Sequence, residues 1–225
     1  MDYFLDTNVE LGYVFCTDPW NTPAVTVFDS NDKLHYSRNV DKEFRKNFAK
    51  FLKEQKHFFY RISDELEYLG LKNVNYNTFE SIGLSVDLIY DFAVNKKESF
   101  LKKLWDIANK NKKDNIKVKN LVRDIRIFAR NFEKFIFDRK INFEKKVVMC
   151  LKRVKKYSKI FKRLAALGIH EEDIDIVLDA HDLACRESLF LNFVTSDNDV
   201  YRLSSKVMEL NINEFLHLKN ILNRN

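Results

Sequence analysis

Two short apolar runs near opposite ends of the chain each stop at an aspartate: YFLD, ending at Asp6, and FVTSDND, which reaches Asp197 and Asp199. Both begin as strand-forming segments and break into polar turn residues, so each reads as a buried strand presenting a carboxylate at its carboxyl end. In a parallel sheet that edge is where ligands sit, because the loops there diverge from a rigid scaffold. Carboxylates brought together repel one another, and a cation is the usual compensation. Oxygen donors without suitably spaced Cys or His suit Mg²⁺ or Mn²⁺ rather than zinc. For Asp6 the plainer alternative is a turn aspartate bonding the following amides, since Asp-Thr-Asn is good turn chemistry. Asp199 is read equally as a second acid or as the cap of a helix beginning near Val200.

The elements that must carry these groups follow from periodicity. Tyr3 to Leu5 is expected as a strand, followed by a helical segment through Glu10 to Phe15 and a loop, CTDPWNTPA, holding both prolines. AVTVFDSNDKLHYS fits a hairpin around Asn31 and Asp32, or a helix ending over Ala24 to Phe28. Asn39 is the expected cap of a helix with Val40, Phe44, Phe48, Phe51 and Leu52 at helical spacing. Helical patterning continues from about residue 56 to 163, with breaks at Gly70 to Asn77 and Asn109 to Lys119. Val122, Ile125, Ala129, Phe132 and Ile136 form one apolar stripe, with Arg123, Arg126, Arg130 and Lys134 beside it. A further helix is expected from about Phe143, with Val147, Leu151, Val154 and Phe161 inward and Lys152, Lys155, Lys159 and Lys162 elsewhere. The last third reads as helix (HEEDIDIVLDAHDLACRES), buried strand (LFLNFVTSDND), short helix around Val200 to Ser205, strand (VMELN) and a closing helix (NINEFLHLKNILNR), which is α/β syntax. His170 and His181 are given no function, and helical periodicity makes most of the Phe rings core rather than stacking platforms.

Composition narrows the class. With 4 Gly and 2 Pro among 225 residues, tight turns are few and long helices are favoured. No apolar run approaches the roughly 18 residues of a membrane span, and the N-terminus lacks a basic flank followed by an apolar region, so a soluble cytoplasmic protein is expected. Three cysteines, Cys16, Cys150 and Cys185, without metal-ligand spacing fit a reducing compartment. The net charge of +6 conceals segregation: residues 102–163 hold 22 Lys and Arg against 6 Asp and Glu, and the remainder is acidic. Such a basic segment suits a polyanion, though Lys-rich helices are often only solvated.

FLDTNV, followed much later by DIDIVLDAHDLA and FVTSDND, resembles the PIN-domain nuclease family. The resemblance implies an α/β fold with a mainly parallel central sheet flanked by helices. It covers residues 1–48 and 164–225 and leaves 49–163 as a large, basic, all-helical insertion. Matched position by position, it implies Asp6, Glu43, Asp173 and Asp197 as catalytic acids, with Asp6, Asp173, Asp197 and Asp199 binding Mg²⁺ or Mn²⁺. Asp179 competes with Asp173, being nearer to Asp197. Thr7, Asn8, Thr195 and Ser196 would support the acids. The implied activity is metal-dependent hydrolysis of RNA leaving a 5′-phosphate, with single-stranded DNA also open as substrate. Arg123, Arg126, Arg130, Lys152, Lys155 and Lys159 are the expected nucleic-acid contacts. Two other readings stay open: a non-cleaving PIN-like module binding RNA or protein, and the toxin of a toxin-antitoxin pair with a small protein partner. Exposed apolar faces on the helical arm would also permit a homodimer.

Overall fold

The computed structural model describes residues 1–86, 94–111 and 113–222. The chain divides into two compact units, one comprising Met1–Val14, Trp20–Lys46 and Lys140–Asn225, the other Phe15–Pro19 and Asn47–Arg139.

The first unit is built on β1 (Asp2–Leu5), followed by α1 (Thr7–Val14), α2 (Asn21–Asp29) and β2 (Lys33–Tyr36). α3 (Arg38–Tyr68) starts in this unit and runs on into the second. The second unit adds β3 (Asn73–Val74), α4 (Tyr76–Ser85), α5 (Val94–Ala108), β4 (Ile116–Lys117) and most of α6 (Val118–Lys146). The chain then completes the first unit with β5 (Val148–Met149), α7 (Ser158–Ala166), α8 (Glu171–Glu187), β6 (Leu191–Thr195), α9 (Asn198–Ser204), β7 (Glu214–His217) and α10 (Leu218–Ile221).

Five strands pair in the order β5-β2-β1-β6-β7, all parallel. β6 is buried at all five positions, as a strand covered on both faces must be. Phe4 and Phe193 stack at 5.7 Å across the β1/β6 pair. From β1 the chain winds outward through β2 to β5, and from β6 it winds the other way to β7. Strand order therefore reverses between β1 and β6, and in open parallel sheets ligands bind outside the strand carboxyl ends at such a point. Asp6 follows β1 immediately, and Asp197 lies two residues beyond β6.

Several expected elements are corrected. The proline-containing loop keeps residues 16–20 as turn but gives up 21–24 to α2, where Pro23 lies in the first turn and its missing N–H goes unmissed. AVTVFDSNDKLHYS takes its helical alternative, since β2 pairs parallel to β1. α3 begins one residue before Asn39, and Ser37 Oγ accepts the Val40 N–H at 3.3 Å. The helix expected from Phe143 ends at Lys146. An edge strand, an irregular stretch over 150–157 and α7 replace it, leaving Leu151 and Val154 75% and 86% exposed rather than inward. VMELN is not a strand, and the last strand lies inside the segment expected as a closing helix.

In the second unit the stripe Val122, Ile125, Ala129, Phe132 and Ile136 is buried throughout. Phe59 is its aromatic centre, edge-on to Phe132 at 4.9 Å and stacked on Phe100 at 5.7 Å. Arg126 clamps α6 to α3 through both Glu67 oxygens at 2.8 Å and Asp64 at 2.7 Å. The unit is not wholly helical, because β3 and β4 form an antiparallel ribbon, Asn73 opposite Lys117.

Candidate active site

Asp6 is 4% exposed. Its amide donates to the Val194 carbonyl at 3.0 Å, extending the β1/β6 ladder by one residue and fixing where the side chain emerges. One carboxylate oxygen accepts the Thr7 N–H at 2.7 Å and the other accepts the Thr195 hydroxyl at 2.6 Å. The same Thr195 oxygen accepts the Asp197 N–H at 2.9 Å. One buried hydroxyl thus ties the carboxylate after β1 to the backbone amide of the acid after β6.

Asp197 is the N-cap of α9, its Oδ1 accepting the Val200 N–H at 2.8 Å. Capping therefore falls to Asp197, and Asp199 lies exposed in the first turn of α9. Glu43 arrives from the second turn of α3, where one oxygen accepts the Thr7 hydroxyl at 2.7 Å. Asp173 lies in the first turn of α8 with Glu171 and Glu172, a position the helix dipole favours for acids.

Electrostatics registers the convergence. Burial pushes the Asp6 carboxyl up to about 7, and the negative charges of Asp173 and Glu43 add to that, against the hydrogen bonds from Thr195 and Thr7. Asp173 is raised to about 6 by burial, then by Asp197 and Glu43, with His170 opposing. Asp6 thus feels Asp173 and Glu43, and Asp173 feels Asp197 and Glu43, charges drawn from a strand end, two helix starts and a second strand end.

Asp179 is held elsewhere. Its Oδ2 accepts the Asn39 amide at 2.9 Å, its Oδ1 lies 3.7 Å from the Arg153 guanidinium, and Arg153 also grips Asp175 at 2.5 Å. Asn39, read from sequence as a cap, and Arg153, given no role there, thus form a brace between α3, the 150–157 stretch and α8. Asn8 and Ser196 are partly exposed beside the site. Of the expected nucleic-acid contacts, Lys152, Lys155 and Lys159 lie exposed in the sheet-bearing unit. Arg123, Arg126 and Arg130 belong to the other unit, where Arg126 is committed to Glu67 and Asp64.

Among the described residues no three His, Cys, Asp or Glu side chains form a group close enough to hold a metal ion as they stand. The donor chemistry nevertheless fits a hard divalent cation: four carboxylates, two of them with proton affinity raised by burial and mutual repulsion, which a bound cation would relieve. No family model, curated protein or solved structure matches the chain. The chemistry of the site rests on its own residues.

Proposed function

We propose that this protein is a metal-dependent nuclease that hydrolyses phosphodiester bonds of RNA. The observation that carries this reading is the joint attachment of the Asp6 carboxylate and the Asp197 backbone amide to the Thr195 hydroxyl at the point where strand order reverses. The resemblance of FLDTNV and FVTSDND to the PIN-domain family supports the choice of RNA.

Asp6, Asp173 and Asp197 would hold one or two Mg²⁺ or Mn²⁺ ions, with Glu43 beside them and Asp199 at the exposed margin. When bound, such an ion activates water as a nucleophile at neutral pH and stabilises charge on the phosphate and leaving oxygens. The chain's own part is positioning. Thr195 fixes Asp6 and Asp197 relative to each other, and Thr7 fixes Glu43 through its hydroxyl and Asp6 through its amide. Asp197 spends Oδ1 on the α9 cap, which orients the carboxyl and leaves Oδ2 for a ligand.

Labelled single-stranded RNA incubated with the wild type and with Asp6→Asn, in Mn²⁺ and in chelator, tests the reading. Cleavage is expected from the wild type only with metal, and its rate is expected to fall at least ~100-fold in Asp6→Asn, the scale of losing an electrostatic group at a reacting centre. Equal RNA binding by both proteins with no cleavage by either would replace the nuclease with a non-cleaving module.

A further inference from the structure

We infer that a groove on the α3 side of the sheet-bearing unit binds the phosphodiester backbone of single-stranded nucleic acid leading to the acidic site. This inference rests on the nuclease reading for its substrate class.

The groove encloses about 730 Å³, between residues 37–45 on one side and Leu151, Lys152, Arg153 and Asp179 on the other. Its walls follow directly after β2 and β5, so it occupies the same carboxyl edge of the sheet as Asp6, on the β2 side of β1. The lining carries five cations, Arg38, Lys42, Arg45, Lys152 and Arg153, against two carboxylates, Asp41 and Asp179. Both carboxylates are already answered from within. Asp41 takes the Arg45 Nε–H on both oxygens at 2.9 Å, and Asp179 is held by Asn39 and Arg153. Arg38, Lys42 and Lys152 are exposed and have no ion-pair partner among the described residues. The charge that remains to face a ligand is therefore positive.

Helical geometry joins this groove to the acids. Arg38, Lys42 and Arg45 recur at helical spacing along one stripe of α3, while Asn39 and Glu43 form the neighbouring stripe, bonded to Asp179 and Thr7. Four acids by themselves repel a polyanion. A cationic groove one helix face away supplies the attraction the reacting centre lacks, and it does so by contacts to phosphate that carry no sequence information.

The test is fluorescence anisotropy of a short labelled single-stranded RNA in chelator, where nothing is cut, across a salt series. The triple variant Arg38→Gln, Lys42→Gln, Lys152→Gln is compared with wild type and with Arg202→Gln, Lys206→Gln, Lys219→Gln, which removes equal charge near β7. Three lost phosphate contacts predict affinity weakened about tenfold or more and a log–log salt slope flatter by about 2 for the groove variant, with the β7 control close to wild type. Wild type that does not bind, a groove variant that binds as wild type, or equal losses in both variants would each overturn the groove. A wild type that binds through the groove yet cuts nothing in Mn²⁺ would instead sink the nuclease reading alone.

Discussion

Thr195 is fully buried and makes two bonds with one oxygen, donating to Asp6 and accepting from the Asp197 amide. Valine has the same shape and neither capacity, so Thr195→Val would leave the part-buried Asp197 amide unanswered and Asp6 with one donor fewer. The expected cost is about 1–3 kcal/mol in urea unfolding, accompanied by a fall in cleavage rate, whereas Thr195→Ser keeps both bonds and recovers most of each. Glu10 poses a different problem. It is 1% exposed, and its Oε2 has no hydrogen-bond partner. Burial, reinforced by Asp41, pushes its carboxyl from 4.5 to about 9, with Lys140 pulling the other way. The folded chain therefore keeps this proton up to about pH 9 while the unfolded chain releases it near 4.5, so stability is lost as pH rises through that window. Glu10→Gln removes the slope. Its unfolding free energy should match wild type near pH 4 and exceed it by several kcal/mol at pH 8, about 1.4 kcal/mol for each pH unit above 4.5, read from urea titrations at both values.

The helix that presents Asp173 depends on the turn before it. α7 ends in a Schellman arrangement: the Gly168 amide bonds the Ala165 carbonyl at 2.9 Å, the Ile169 amide reaches Leu164 at 3.3 Å, and Gly168 sits at φ +90°. A Cβ at Gly168 would meet nothing within 4 Å, so the penalty for Gly168→Ala is conformational alone. It should destabilise the protein by about 1 kcal/mol in chemical denaturation, and cleavage should fall only as far as α8 is displaced. Such a turn is visible in LAALGIHEED, where a glycine follows a helical run and precedes a cluster of acids. The strand ends at Asp6 and Asp197 were legible for a similar reason, since an abrupt change from apolar to small polar residues marks a boundary. Residues 147–157, expected as helix, were not. Val147, Leu151, Val154 and Phe161 mimic helical spacing, no glycine or proline breaks the run, and β5 is only two residues long, too short for alternation to show. FLHL failed likewise: Phe215, Leu216 and His217 are all buried in a strand, and a short apolar run reads equally well as helix. Asp173 and Asp179 could not be separated by spacing, because what distinguishes them is the Asn39 and Arg153 brace, which joins parts of the chain far apart in sequence.

Across the whole molecule, the basic excess of residues 102–163 is one block in sequence but falls into both compact units. Among the described residues each part holds both paired and unpaired cations, and the expected contacts fall on both sides of that line. Arg126, in the helical unit, commits its guanidinium to Glu67 and Asp64, and Arg123 bonds the adjacent Asp124 at 2.9 Å. Lys152, Lys155 and Lys159, in the sheet-bearing unit, are exposed with no ion-pair partner among the described residues. A cation already neutralised by two carboxylates must give them up before it can meet a phosphate, whereas a solvated lysine exchanges only water and counterions. Arg126→Ala is therefore expected to lower stability by up to about 1 kcal/mol, the range for a part-exposed ion-pair network, while leaving RNA affinity and its salt dependence unchanged. Lys152→Ala, Lys155→Ala and Lys159→Ala together should do the reverse, leaving the melting temperature in place and flattening the salt slope of binding by about 2. Thermal melts and anisotropy titrations on the two variants separate these roles. If Arg126→Ala weakened binding as much as the lysine triple, the charge of the helical unit would be acting on the ligand despite its internal partners, and sequence-level charge segregation would outrank ion pairing as a guide to where a polyanion binds.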